Sequence, residues 1–304
     1  MHGKNLILAN VGFRKTRANW QIADLDLGET TDFSPIFGEP ITLKINLRQK
    51  FCTGWHSLET GENFICPDNA IIDKTYNQCP KCQKRTGFNP AFYNMAENEI
   101  SEQQIVRNSQ PHFVYLAYFP DEIVKVGISF VGRGIARLLE QGARAALILG
   151  EFNTANIARN YEEKIANIPD FCENVKMSVK LKTLERKFSF SKAQSQLFEA
   201  REIIEKALNV KFESGEVLDL SEFYAKNGEI PNGEMINVEN CAQSGEELIF
   251  SGVLEAQVGG ILIAKQQGEN IVLPLKKFVG YKIEISNQPT EIILPERQAS
   301  LFDF

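Results

Sequence analysis

Four cysteines inside 31 residues constrain this chain more than any other feature: Cys52, Cys66, Cys79 and Cys82. Cys79-Pro80-Lys81-Cys82 is a C-x-x-C knuckle, a spacing that presents two thiolates to one tetrahedral ion. Cys52 and Cys66 supply the other two ligands of a closed site, and all-thiolate tetrahedral ligation favours zinc over harder metals. Four thiolates leave no open position, so the expected Zn²⁺ is structural. It would hold together a loop-rich segment, residues 51–94, that has little core of its own. His56, four residues after Cys52, is an alternative to one thiolate. A redox-active C-x-x-C expects a βαβ context, which is missing here. Lys81, Lys84 and Arg85 around the knuckle read as solvated charge, with a phosphate contact as the alternative. Cys172 and Cys241 stand alone and read as small buried apolar residues.

The chain has 304 residues, enough for two or three compact units. It contains no apolar run of bilayer-spanning length, and its first residues lead into an apolar run too short for a secretion signal. A cytoplasmic protein with reduced thiols and no membrane partner is expected. The net charge of −6 argues against a generic nucleic-acid binder. The charge is uneven, however: residues 193–304 carry −9 and residues 1–192 carry +3. Lys176 to Lys192 holds six Lys/Arg against one acid, so contact with DNA or RNA is expected on one side only.

Residues 1–50 read as β structure, with Ile41, Leu43, Ile45 and Leu47 alternating with polar residues as in a half-buried strand. Phe13 to Arg17 carries three cations in a turn near Trp20. A solvated loop is the favoured reading there, and a nucleic-acid contact the other. After the cysteines, Met95 to Gln110 is a polar connector. The stretch from Pro111 to Ala143 then reads as two short strands and a helix. Phe113–Phe119 and Ile123–Ile128 flank Pro120-Asp121, which is turn chemistry. From Ile135 the period becomes helical: Ile135, Leu138 and Leu139 share one face, Arg137 and Gln141 another, and Gly142 ends the helix. Ala145–Gly150 is a third strand, and Thr154 caps a helix with Ile157, Tyr161 and Ile165 on one face.

These residues resemble the GIY-YIG nucleases, whose two signature tripeptides stand on successive strands before a helix that carries an arginine. Phe113-Val114-Tyr115 matches the first tripeptide, Lys125-Val126-Gly127 the second, and Arg137 the helix arginine, over roughly residues 111–170. The wording VYLAY, KVGIS and EQGA is closer still to an uncharacterised prokaryotic family that joins a zinc-binding cysteine cluster to such a core, over most of the chain. The resemblance implies that Tyr115 activates water and that a glutamate on the helix after the third strand holds one hard cation, Mg²⁺ or Mn²⁺. Glu162 is that position, with Glu163 as the fallback and an ordinary exposed glutamate as the alternative. The first signature glycine is Phe113 here and the second tyrosine is Lys125. A lysine cannot copy a phenol, but it can bind phosphate or, when desolvated, act as a base. Taken without the resemblance, the two runs read equally as ordinary buried strands.

Lys176–Phe190 alternates loosely and reads as a basic strand or two. Ser191 then caps a helix to about Leu208, with Leu197, Ile204 and Leu208 buried. Leu248–Leu254, Gly260–Ala264, Ile271–Leu275 and Tyr281–Ile285 read as short strands of a small antiparallel barrel or sandwich. The tail holds Gln298, Leu301, Phe302 and Phe304, and resembles the peptide that plugs replication and repair proteins into the sliding clamp. A tail folded back on the β domain is the other reading.

The expected fold class is therefore α+β. Its parts are an N-terminal β segment (1–50), a zinc-ribbon-like cluster (51–94), a GIY-YIG-like core (111–175), a basic segment with a helix (176–209), a small antiparallel β domain (210–288) and a tail (289–304). The expected function is a metal-dependent DNA endonuclease of repair or turnover recruited to the clamp. Its site would be Tyr115, Lys125, Arg137 and Glu162. The alternative is a catalytically inactive, zinc-containing nucleic-acid adaptor with the same tail.

Overall fold

A computed structural model describes residues 5–213, 215–241 and 245–294. The fold is mixed α+β. Strands β1 (Leu6–Arg14) and β2 (Arg17–Asp24) form a hairpin whose turn residue Lys15 has φ 57°, and β3 (Glu29–Phe33) and β4 (Pro40–Phe51) follow. In β4, Ile41, Leu43 and Ile45 face the core as their alternation predicts. Trp20 does not reach solvent. It is fully buried, and its Nε1 donates to Gln257 Oε1 at 2.7 Å, which removes it from any nucleic-acid contact.

The cysteine segment contains only two-residue strands, β5 (Trp55–His56), β6 (Asn63–Phe64) and β7 (Ile71–Ile72), with helix α1 (Pro80–Thr86). Proline at the first turn and left-handed Gly87 at the end (φ 62°) delimit α1. The polar connector contains α2 (Glu102–Asn108), capped by Ser101 through the N–H of Gln104.

The central unit runs β8 (His112–Phe119), β9 (Ile123–Phe130), α3 (Gly134–Gln141), β10 (Ala145–Phe152), α4 (Ala155–Ala166) and β11 (Phe171–Cys172). Asp121 and Glu122 both have positive φ, 66° and 65°, in the three-residue turn that joins the paired Phe119 and Ile123. Gly142 (φ 74°) ends α3 and Thr154 caps α4. The expected basic strand at 176–190 is instead helix α5 (Met177–Leu184). Met177, Leu181 and Leu184 lie at i, i+4 and i+7 and pack together against the core, and this spacing prevailed over the short V-K-L-K alternation. The next helix, α6 (Phe190–Leu208), starts earlier than expected because Ser189, not Ser191, accepts from Lys192 N.

The chain continues through β12 (Val217–Asp219), β13 (Ile236–Asn237), β14 (Glu247–Val258), β15 (Ile261–Gln266), β16 (Glu269–Leu273) and β17 (Tyr281–Ser286). The strand order is β13-β16-β15-β14-β4-β17-β1-β2-β3, with β7 also on β4. Strand β4 thus lies between β14 and β17, with Leu43 opposite Phe250 on one side and Ile285 on the other. Residues 1–50 and the C-terminal strands, read separately from sequence, share one sheet. Pairing on both sides leaves β4 and β17 without the open edges that two small separate sheets would carry. One apolar cluster extends from Trp20 to Ile271, so the sheet curls around its own core.

The second sheet has the order β11-β9-β8-β10-β12. All eight residues of β8 are buried, as a central strand covered on both faces requires. Phe113, Tyr115, Ala117 and Phe119 face α3 and the outside of the curled sheet, where they meet Leu138, Leu139, Val258 and Ile263. Val114, Leu116 and Tyr118 face α4 and α6. No helix among the described residues is long and apolar enough to cross a membrane.

Candidate functional site

The four cysteines come together. Their Sγ atoms lie within 4.8 Å of one another, and all four residues are buried. The Cys66 and Cys79 sulfurs are 3.9 Å apart, close to the roughly 3.8 Å edge of a tetrahedron with about 2.3 Å metal–sulfur bonds. Backbone N–H groups of Gly54 (3.4 Å) and Cys79 (3.1 Å) point at Cys52 Sγ. Burial pushes the Cys52 thiol up to about 11 and raises Cys82 as well, so the packed sulfurs need a cation to carry negative charge together. The donor set fits a structural metal such as zinc. His56 is not part of the cluster; its backbone N–H binds Thr86 Oγ1, and burial beside Arg133 lowers its pKa. Lys81 pairs with Asp68 at 2.8 Å, and Arg85 lies over the Trp55 ring.

The second site is built on β8 and β9. Tyr115 and Gly127 are cross-strand partners, as are Ala117 and Lys125, so Tyr115 and Lys125 rise from the same face. A Cβ at residue 127 would lie 2.5 Å from both Cζ and Oη of Tyr115. The glycine is therefore required by the ring opposite it. Tyr115 is fully buried, and its hydroxyl makes no hydrogen bond of full geometry, although the Arg137 side chain comes near enough to act on it. Burial pushes the hydroxyl pKa up, Glu162 adds to the rise, and Arg137 and Arg133 oppose it.

Lys125 is 7% exposed, donates to the carbonyl of Val126 at 3.0 Å, and stands 5.7 Å from the Tyr115 ring centroid. Burial lowers its ammonium pKa to about 8, with Glu162 opposing and Arg137 reinforcing the shift. Arg137, on the polar face of α3, makes a 3.8 Å contact with Glu140, which Arg133 holds more tightly at 2.6 Å. Glu162 is not the exposed helical glutamate of the bland reading; it is 8% exposed on the buried side of α4, beside Ala158 and Ile165. Ile157, expected on that side, is exposed instead. Glu162 Oε2 accepts from Arg159 at 2.6 Å, and the same guanidinium reaches Glu173 at 3.0 Å. Glu162 thus acts electrostatically on both Tyr115 and Lys125 while a fixed arginine holds one of its oxygens.

Sequence reasoning did not single out Arg159, Lys180 or Lys276. Lys180, on α5, donates to the carbonyl of Gln141 at 2.6 Å, and its ammonium is lowered to about 8 by burial and by Lys125, Lys276 and Arg137. Lys276 follows β16, and burial lowers its pKa, with Glu140 opposing and Arg137 and Arg133 reinforcing the shift. The i,i+3 spacing of Arg159 and Glu162 on α4 was the available signal, whereas the contact of Lys180 with α3 is tertiary. Gln298, Leu301, Phe302 and Phe304 lie outside the described residues.

No curated protein and no solved structure matches the chain. Residues 41–283 do match a protein family, and the match covers the cysteine cluster, the second sheet and the larger sheet except β1 to β3 and the ends of β4 and β17. The chain belongs to the family described as protein of unknown function (DUF2797).

Proposed function

We propose that this protein is a metal-dependent phosphodiesterase of GIY-YIG-like type acting on DNA in repair or turnover. The observation that carries the reading is the buried Tyr115 hydroxyl, within electrostatic reach of Arg137 on its own face of the sheet and of Glu162 from α4 on the other, and beside Lys125. A polar atom left unpaired in the interior costs about 1–3 kcal/mol, a cost that persists most readily where function uses the atom. Arg137 binds oxygens of the scissile phosphate, and Tyr115 orients the attacking water. Lys125, whose pKa is lowered to about 8, accepts the water proton in its neutral amine form as the new P–O bond forms and the ester P–O bond breaks. The leaving oxygen takes its proton from solvent.

Glu162 and Glu173 offer the one or two carboxylates through which Mg²⁺ or Mn²⁺ is ordinarily bound together with substrate phosphate and water. Such an ion supplies positive charge at the leaving oxygen. A second reading, a non-catalytic nucleic-acid adaptor with a structural zinc, is favoured by Arg159, which already neutralises Glu162.

The test is incubation of purified protein with plasmid and branched DNA in Mn²⁺. The nuclease reading expects nicking that falls about 100-fold in Arg137→Ala. DNA binding without cleavage by the wild type selects the adaptor. Recruitment to the sliding clamp through Gln298, Leu301, Phe302 and Phe304 belongs to the same proposal. A labelled peptide of residues 295–304 should bind purified clamp at about micromolar affinity. Equal signals from that peptide and its Leu301→Ala/Phe302→Ala form would remove the clamp from the proposal.

A further inference from the structure

Four cations from four separate elements surround one region: Lys125 on β9, Arg137 on α3, Lys180 on α5 and Lys276 in the turn after β16. The first two were expected from the resemblance. The last two come from outside the hairpin and helix that carry it, and Lys276 belongs to the curled sheet. Close glycine contacts hold the two bodies together here. A Cβ on Gly259 would lie 2.9 Å from the nitrogen of Gly142, and one on Gly260 would lie 2.7 Å from Cβ of Lys276. Lys276 N also donates to the carbonyl of Gly260 at 3.2 Å, so the lysine backbone is fixed where the curled sheet meets the end of α3. Lys180 reaches the same end of α3 through Gln141, with its ammonium 5.5 Å from the Phe119 ring centroid.

Among the described residues no carboxylate forms an ion pair with Lys125, Lys180 or Lys276. Glu140 is shared by Arg133 and Arg137, and Glu162 is held by Arg159. Lys276 is exposed, yet close enough to protein that its ammonium loses hydration. The buried Tyr115 hydroxyl lies on the same face at depth. Glu140 acts on Lys276, and Glu162 and Glu173 on Lys125, without pairing with them, so the surplus of positive charge here favours an anion.

We propose that Lys276 and Lys180 bind a second phosphate of the substrate backbone, next to the one held at Arg137, so that the junction of the two sheets is a polyanion groove. The inference rests on reading the site as one for nucleic acid, and it makes the curled sheet a part of that site.

The test is fluorescence anisotropy of a labelled oligonucleotide titrated with full-length protein, without divalent metal, over a range of salt concentrations. Lys276→Gln, a change at an exposed side chain, is expected to weaken binding about 5- to 10-fold. It should also reduce the slope of log affinity against log salt by about one, and Lys276→Arg should restore both. Lys180→Gln should do the same, with circular dichroism confirming its fold. Wild-type affinity and slope in Lys276→Gln would overturn the inference, whether or not the protein cleaves DNA. A slope change in a protein that never cleaves would uphold the groove and remove the nuclease. Binding of a nucleoside triphosphate through Lys276, with no binding of the oligonucleotide, would overturn the backbone assignment.

Discussion

The cysteine cluster and the Tyr115 site are built in opposite ways. The cluster draws four identical soft donors from 31 residues, and the sulfurs crowd one another with space for a single ion. The Tyr115 site draws different groups from β8, β9, α3 and α4, and it leaves a buried hydroxyl without a hydrogen bond of full geometry and lysines without an ion-paired carboxylate. Closed, self-satisfied coordination serves folding. Mixed, incompletely paired polarity around a rigid strand pair is what the proposed binding and chemistry would use. Substitutions in the two regions should therefore differ in kind: stability lost at the first, function lost at the second.

The largest effect is expected at the cluster. Structural zinc in small domains is worth about 10–16 kcal/mol of apparent binding energy, and that energy is folding energy. Cys82→Ser should lose the metal and open residues 51–94 to limited proteolysis while the Tyr115 site stays folded. Elemental analysis of wild type should find about one zinc per chain. Less than half an equivalent, without chelator in purification, would remove the first half of the comparison.

Gly127→Ala comes next, because its Cβ would collide with the Tyr115 ring. A cost of about 1–3 kcal/mol in denaturant unfolding is expected. The same substitution in a Tyr115→Leu background should cost much less, and equal costs would show that the ring is not what demands the glycine.

Two buried tyrosines sharpen the contrast further. Tyr224 directs its hydroxyl at the carbonyls of Leu139 (3.0 Å) and Ala143 (2.8 Å), whereas that of Tyr115 meets none. Tyr224→Phe should destabilise by about 1–3 kcal/mol, and Tyr115→Phe should be neutral or stabilising by about 1 kcal/mol while abolishing cleavage. Equal destabilisation would mean that Tyr115 is structural.

The smallest effect is a pH dependence. Lys125 faces Glu162, Arg137, Cys172 and Glu173, and its folded pKa is about 8 against 10.5 for the free group. Between these values the unfolded chain binds more protons, so stability should rise with pH from about 8 to 10.5. Lys180 titrates in the same window, so Lys125→Met should flatten the rise without removing it. An unchanged slope in Lys125→Met would place its ammonium in ordinary solvent.

The locally encoded parts were legible. Asp121 in its turn, Gly142 ending α3 and Thr154 capping α4 follow from side-chain chemistry within a few residues. The pairing of β4 with β14 and β17 was not, because Leu43 meets Phe250 and Ile285 across more than 200 residues and nothing near Leu43 encodes either partner. Helix α5 was misread through short alternation although Met177, Leu181 and Leu184 carried the helical signal. Tyr115, Lys125, Arg137 and Glu162 were named through resemblance. The pairing of Arg159 with Glu162 is a local i,i+3 contact on α4 that the sequence already offered, whereas the place of Lys276 on the curled sheet depends on tertiary structure that no motif records.

The most direct measurement is a crystal soaked in Mn²⁺ and read by anomalous scattering. Manganese density beside Glu162, with Arg159 turned away and the Tyr115 hydroxyl and Arg137 facing the ion's open side, is the expected result. Full occupancy of metal at the four cysteines alone, with Glu162 still paired to Arg159 at high Mn²⁺, would contradict the catalytic reading of the Tyr115 site.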